Sequence, residues 1–275
     1  MTGTLTLALV VVGGAAGVAA LLRANDGEPR VERCAAVADG TEWYLAPDQA
    51  ETAALLAGTS VRRGMPARAA TIAIATGLQE SKLRNIDYGD RDSVGIFQQR
   101  PSQGWGSVEE IMDPVYSTNA FYDALAQVDG YEEMAVTEAA QTVQRSAFPD
   151  AYAQHEARSR AWASALTGWS PAALTCTLPE ADGVGDPAAL AARLERDLGL
   201  VAVVEGGLVR IDLSAAGEPS RAGWAAAQWA VAVAWTHDVV RVRHEDQVWD
   251  RTTGTWAPDE TDPLASGVVE LTLHD

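Results

Sequence analysis

From about Ala46 to Gly168, apolar residues, most of them alanine, recur at helical spacing with few β-branched runs, which predicts a mainly helical segment. Ala50–Gly58 reads as one helix ending at a glycine, and Pro66–Ser81 as a second with proline at its first position. Pro114–Val128, Glu132–Ser146 and Asp150–Thr167 read as three more. Asn85–Trp105 breaks the period. It is rich in Gly, Asp, Gln and Pro, so it reads as loop or short strand, and a long loop inside a helical segment is often functional.

After Cys176 the pattern changes. Thr177–Asp186 has a linker's composition, and Asp186-Pro187 caps a helix running to Leu198. Leu200–Glu205 and Leu208–Leu213, joined by Gly206-Gly207, read as a hairpin. Pro219–His237 reads as a helix carrying Trp224, Trp229 and Trp235, with Trp224 and Trp235 expected to be buried on a sheet. Val239–His244, Gln247–Arg251 and Val268–His274 read as strands. The fold class expected is a mainly α domain over residues 46–176, a linker over 177–186 and a small α+β domain over 187–275.

Thr4–Leu22 carries no charge, and roughly 20 apolar residues suffice to cross a bilayer as a helix. Residues 1–23 are therefore expected to form a transmembrane anchor or uncleaved signal, followed by a linker over 24–45. The segment is long for a signal core, and no clear A-x-A site precedes Arg23. With no Lys or Arg before it and Arg23 after it, charge does not set its orientation.

Composition narrows the partners. Lys+Arg 20 against Asp+Glu 38 gives a net charge of −18, which excludes a general nucleic-acid binder and disfavours anionic lipid surfaces. No Cys/His spacing resembles a zinc site, and His237 and His244 read as surface residues; neither metal nor cofactor is expected. Against this acidic background Arg62, Arg63, Arg68, Lys82, Arg84, Arg91 and Arg100 concentrate in one region. They form either a solvated face or an attraction for carboxylates.

Candidate chemistry sits in Leu78–Trp105. Glu80 lies near the C-terminal end of the Pro66–Ser81 helix, and Ala69, Ala73 and Thr76 share its face. Small residues admit a close neighbouring helix, which would partly desolvate the carboxyl group and raise its pKa, as a general acid requires near neutral pH. The plainer alternative is a solvated glutamate at a helix end.

Glu80-Ser81, then Gly89-Asp90-Arg91, then Gly95-Ile96-Phe97-Gln98, resembles the lysozyme-like superfamily of goose-type lysozymes and soluble lytic transglycosylases. Members place a catalytic Glu-Ser at a helix end, followed by a Gly-Leu-Met-Gln-type segment lining a sugar cleft. The extension Gln98–Trp105 fits a membrane-anchored actinobacterial member. The resemblance spans about Ala46–Gly168. Two departures stand out: Arg100 occupies the place of a second Asp, and Ala140–Ser146 stands where a Tyr-Asn motif is common.

The resemblance implies cleavage of the β-1,4 bond between N-acetylmuramic acid and N-acetylglucosamine in peptidoglycan. Glu80 is the implied general acid/base, with the lytic route slightly favoured over hydrolysis. Ser81, Asp90, Gln98 and Gln144 are implied substrate contacts, and Trp105, flanking the loop, is expected to stack on a sugar ring, the alternative being a core aromatic. Cys34 and Cys176 stand just outside the ends of the lysozyme-like segment and are expected to form a disulfide, the alternative being two buried thiols. The expected partners are peptidoglycan strands, the membrane through the N-terminal helix, and an envelope protein through the C-terminal module. The catalytic domain is then expected outside the cytoplasm on a single-pass anchor. The competing reading is an idle peptidoglycan-binding scaffold of an envelope assembly.

Overall fold

The structure, a computed structural model, describes residues 31–145 and 149–275. The anchor expected over 1–23 and the first part of the linker expected over 24–45 lie outside the described residues. Among the described residues no helix is long and apolar enough to cross a membrane.

Arg33–Leu45, expected as the end of that linker, instead forms strands β1 (Arg33–Ala38) and β2 (Thr41–Leu45). Asp39 and Gly40 turn the chain between them with φ of 51° and 72°, the left-handed pair that a two-residue hairpin requires. Strand β3 (Leu174–Thr177) pairs antiparallel with β1, in the order β2-β1-β3. Cys34 faces Cys176 in that register, and the two form the expected disulfide across a sequence separation of 142.

Helix α1 (Pro47–Arg62) is longer than its periodicity suggested. Gly58 does not end it. A Cβ there would lie 3.1 Å from the Asp197 carbonyl oxygen, so the glycine serves the close approach of another helix. Helix α2 (Ala67–Ser81) follows, starting one residue after Pro66, and then the short α3 (Val108–Met112), α4 (Pro114–Leu125) and α5 (Val136–Gln144). The helix expected from Glu132 begins only at Val136, after a run of turns. The one expected from Asp150 is a 3-10 turn over Pro149–His155 followed by α6 (Glu156–Leu166).

Helices α7 (Pro187–Leu198) and α8 (Pro219–Ala232) accompany strands β4 (Ala202–Glu205), β5 (Leu208–Asp212), β6 (Val239–His244), β7 (Gln247–Asp250), β8 (Thr255–Pro258) and β9 (Val268–Leu273). The six strands form one sheet in the order β4-β5-β9-β6-β7-β8. Asp186 caps α7 as expected, its carboxylate accepting from the Ala188 and Ala189 N–H groups. The described residues thus contain eight α-helices and two sheets, a mixed α/β fold.

Glu32–Asp275 packs as one compact unit, within which the segment 177–186 lies. Helix α8 joins its parts, packing on α1 and α6 as well as on β6 and β9. Buried Gln228 uses its whole amide there: Oε1 accepts from Ala173 N and Leu174 N at 2.9 and 2.8 Å, and Nε2 donates to Ala165 O and Ser170 O at 2.7 and 3.0 Å. Trp229 donates to buried Asp197, which also accepts from Arg193 and Arg196. Trp162, Trp229 and Trp249 are fully buried, and truncating any of them to alanine would cost on the order of 3–5 kcal/mol.

Two expectations for this half are corrected. Trp235 is not buried on the sheet, because α8 ends at Ala232 and leaves it 39% exposed. His244 is not a surface residue. It is fully buried over Gly223, where a Cβ would come within 2.2 Å of its ring.

Candidate active site

Helix α2 is buried along nearly its whole length, from Ala69 to Leu78, because alanine and glycine positions let α1, α5 and α6 pack against it. The small-residue face running through Ala69, Ala73 and Thr76 brings Glu80 to the edge of this packing, half-buried. Burial raises the pKa of the carboxyl group, and hydrogen bonds from Tyr152 and Gln144 partly offset that rise. The Tyr152 phenol donates to Glu80 Oε1 at 2.6 Å. Gln144 Nε2 donates to the Phe97 carbonyl at 2.7 Å, so its amide is fixed between the loop and the carboxyl group. His155, in the same 3-10 turn as Tyr152, meets Gln79 at 3.1 Å, and burial lowers its pKa.

Ser81, expected as a substrate contact, turns inward. Its hydroxyl donates to Ile96 O at 2.7 Å and accepts from Arg84 N at 3.1 Å, tying the end of α2 to the loop that follows. The loop is pinned elsewhere too. Gly95 N donates to Ile86 O at 2.7 Å, Asn85 Nδ2 donates to Met112 O at 2.8 Å, and the Phe97 ring stacks on Phe121 at 4.3 Å. Asp92 accepts from Arg100 and Ser102, contacts that hold its carboxyl far below the usual carboxylate range.

The pinned loop and α5 enclose a cleft of about 440 Å³ that Glu80, Asp90, Gln98, Trp105 and Gln144 all line. Five of the six sequence-expected site residues thus meet in one place. A second hollow of about 570 Å³ shares Gln103, Trp105, Gln144 and Arg145 with the first, so the two form one groove with Trp105 at their junction.

Asp90 is different in kind from Glu80. Its side chain is 91% exposed and pairs with Arg91 at 3.8 Å; among the described residues no hydrogen bond fixes its position. Gln98 hydrogen-bonds the Tyr88 and Gly95 carbonyls, both at 3.3 Å, and its φ is 48°. Arg91 and Arg145, with φ of 58° and 51°, also line the cleft, while Lys82 and Leu83 beside Glu80 are left-handed as well. Left-handed backbone at non-glycine residues costs energy and gathers at functional sites.

Most of the basic cluster is consumed by structure. Arg63 pairs with Asp123, Arg68 with Glu156, Arg84 with Asp48 and Arg100 with Asp92; Arg91 and the paired Arg100 line the cleft, joined by Arg145. Tyr152 and Arg145 escaped the sequence reading. Tyr152 lies in a 3-10 turn with no helical period, 72 residues from its partner, and no local pattern marks it. Among the described residues, no three His, Cys, Asp or Glu side chains converge as a metal site.

No protein-family model matches the chain, and no curated protein matches it.

Proposed function

We propose that this chain cleaves the β-1,4 MurNAc–GlcNAc bond of peptidoglycan, with Glu80 as the single general acid and base. The observation that carries this reading is a half-buried carboxyl group with a raised pKa, held by Tyr152 and Gln144 in the lining of a polar cleft. Glu80 donates its proton to the glycosidic oxygen as the C1–O bond breaks through an oxocarbenium-like state. The resulting carboxylate takes the proton of the muramyl 6-hydroxyl as that oxygen bonds to C1. An anhydro sugar forms, no water is consumed, and Glu80 is protonated again.

The lytic route is favoured because Asp90 lacks the hydrogen bonds that would fix a water-activating base. In this reading residues 46–176 are a lysozyme-like domain, and 187–275 are an accessory module for an envelope partner. Residues 1–23 anchor the protein, with the domain outside the cytoplasm. The disulfide supports that placement, since such bonds persist in oxidising compartments.

Mass spectrometry of fragments released from purified peptidoglycan tests the reading directly. Anhydro-muramyl ends support the lytic route, and reducing ends heavier by one water support hydrolysis. Binding to the wall without release of any fragment overturns the enzyme reading in favour of a scaffold.

A further inference from the structure

Two neighbouring residues of α2, Gln79 and Glu80, meet the same 3-10 turn. That turn, Pro149–His155, sends the Tyr152 hydroxyl to Glu80 Oε1 at 2.6 Å and two further donors to Gln79 Oε1: Gln154 Nε2 at 3.2 Å and His155 Nε2 at 3.1 Å. Gln154 Nε2 also donates to the Ala151 carbonyl at 3.0 Å. A backbone carbonyl can only accept, so this bond settles which end of the Gln154 amide is the nitrogen. Gln154 therefore donates to Gln79, the Gln79 oxygen accepts, and His155 carries a proton on Nε2. The imidazolium also carries that proton, so the contact with Gln79 holds in either charge state.

The turn needs such an anchor. A 3-10 run of seven residues is long for a structure whose hydrogen bonds are poorly aligned. Burial of the Tyr152 ring sets its place only coarsely, whereas a hydrogen bond to Glu80 depends on tenths of an ångström. Gln79 does not line the cleft, and neither do Gln154 and His155. Gln144 reaches Glu80 from α5, and Asp90, Arg91, Arg100 and Arg145 share the cleft with it, but none of these bonds Gln79 among the described residues. On α6, the charge of Arg158 acts on His155.

We propose that Gln79 is a positioning residue for Glu80: by accepting from Gln154 and His155 it clamps the turn to α2 and keeps the Tyr152 hydroxyl on the carboxyl group. Both grips fall within three residues of Tyr152, and Gln79 adjoins Glu80 in the chain. Donor and acceptor of the 2.6 Å bond are thus each held close to the bond itself. Slack at either end lengthens that bond and weakens it. The inference rests on the reading of Glu80 as acid and base, but the clamp itself is measurable without catalysis.

The test follows the Glu80 carboxyl carbon by 13C NMR titration of the full chain, its resonance assigned by loss in Glu80→Gln. Gln79→Met keeps the length of the side chain and removes the acceptor. Releasing the turn weakens a bond that favours the carboxylate. The Glu80 midpoint should therefore rise by about 0.5 pH unit or more, though no further than Tyr152→Phe raises it. In a Tyr152→Phe background the same change should move the midpoint by less than about 0.3 pH unit. Gln154→Leu, on the exposed side of the clamp, removes one donor without threatening the fold and should shift the midpoint in the same direction. A midpoint that Gln79→Met and Gln154→Leu both leave in place overturns the clamp. So does one that Gln79→Met moves equally with and without the Tyr152 hydroxyl. Failure of the acid reading looks different: the midpoint moves, and the alkaline limb of kcat/KM for wall fragments does not follow it.

Discussion

The phenolic hydroxyl of Tyr152 donates to Glu80 Oε1 at 2.6 Å, joining the 3-10 turn before α6 to the last turn of α2. The bond favours the charged carboxylate and opposes the rise that burial imposes. Tyr152→Phe keeps the buried ring and removes the donor, so the Glu80 pKa should climb further. A reaction that needs protonated Glu80 then keeps its activity to higher pH. The alkaline limb of kcat/KM should move up by about one pH unit, since a bond to a charged group contributes about 1.5 kcal/mol or more. A limb that moves to lower pH would contradict the assigned roles.

Glu80→Gln preserves size and the acceptor for Tyr152 but removes the transferable proton. Release of wall fragments should fall by roughly 100-fold to 10,000-fold with groove binding nearly intact. Asp90→Asn should change the rate less than about threefold on the lytic route, because an exposed, loosely paired carboxylate there has no water to activate. Comparable losses at both positions, with reducing ends in the products, would establish hydrolysis instead.

The same Glu80→Gln protein should differ in stability in a way that depends on pH. The folded-state pKa of Glu80 lies above its ordinary value near 4.5, because burial penalises the anion. Below that ordinary value both folded and unfolded chains are protonated and no penalty arises. As pH rises from there through the raised pKa, the folded state holds the proton longer, so native stability falls and then levels off. The variant escapes this loss. Denaturant midpoints of the two proteins should therefore diverge in the variant's favour from pH 4.5 upward. A gap that stays constant across that window would show that the carboxyl group is not desolvated. Glu51, also raised by burial, is common to both proteins and cancels.

Elements with local punctuation were legible in the sequence. Asp186-Pro187 starts α7, and Gly206-Gly207 turns the β4–β5 hairpin, as the residues suggest. The β1–β2 hairpin carried a readable Asp39-Gly40 turn, but its alanine-rich flank lacks the alternation that announces a strand. Strand β3 has four residues and owes its existence to β1, which lies more than 130 residues earlier. The groove shows the same division. Glu80, Gln98 and Trp105 belong to one continuous stretch and could be read together. Tyr152 reaches Glu80 only through the packing of α2 on the turn before α6. His244 is buried because Gly223, on another element, lacks a side chain.

The Cys34–Cys176 bond spans directly opposed positions of β1 and β3 and closes a loop that holds helices α1 to α6. Constraining so long a loop in the unfolded state contributes about 4–5 kcal/mol at most. Guanidinium unfolding of the Cys34→Ser/Cys176→Ser protein should show a lower midpoint, and reductant should shift the parent to match it. A parent insensitive to reductant after its thiols are confirmed free would remove the bond from the stability account.

Gly89 offers a way to disturb Gln98 without touching it. A Cβ at Gly89 would lie 1.9 Å from Gln98 Oε1 and 2.7 Å from the Ser93 carbonyl. The amide end of Gln98 can swing away, but the backbone carbonyl cannot, so Gly89→Ala must shift the loop and push Gln98 off the cleft wall. Overpacking of this kind costs about 1–3 kcal/mol, which calorimetry would register as a lower Tm. Gln98 lines the cleft but does not bond Glu80, so its displacement should act mainly through substrate binding. KM for wall fragments should rise several-fold while kcat falls less. Gln98→Ala, which leaves Gly89 undisturbed, should reproduce the KM effect without the loss of stability. If KM stays at the parental value in both variants, Gln98 shapes the loop and does not hold the glycan.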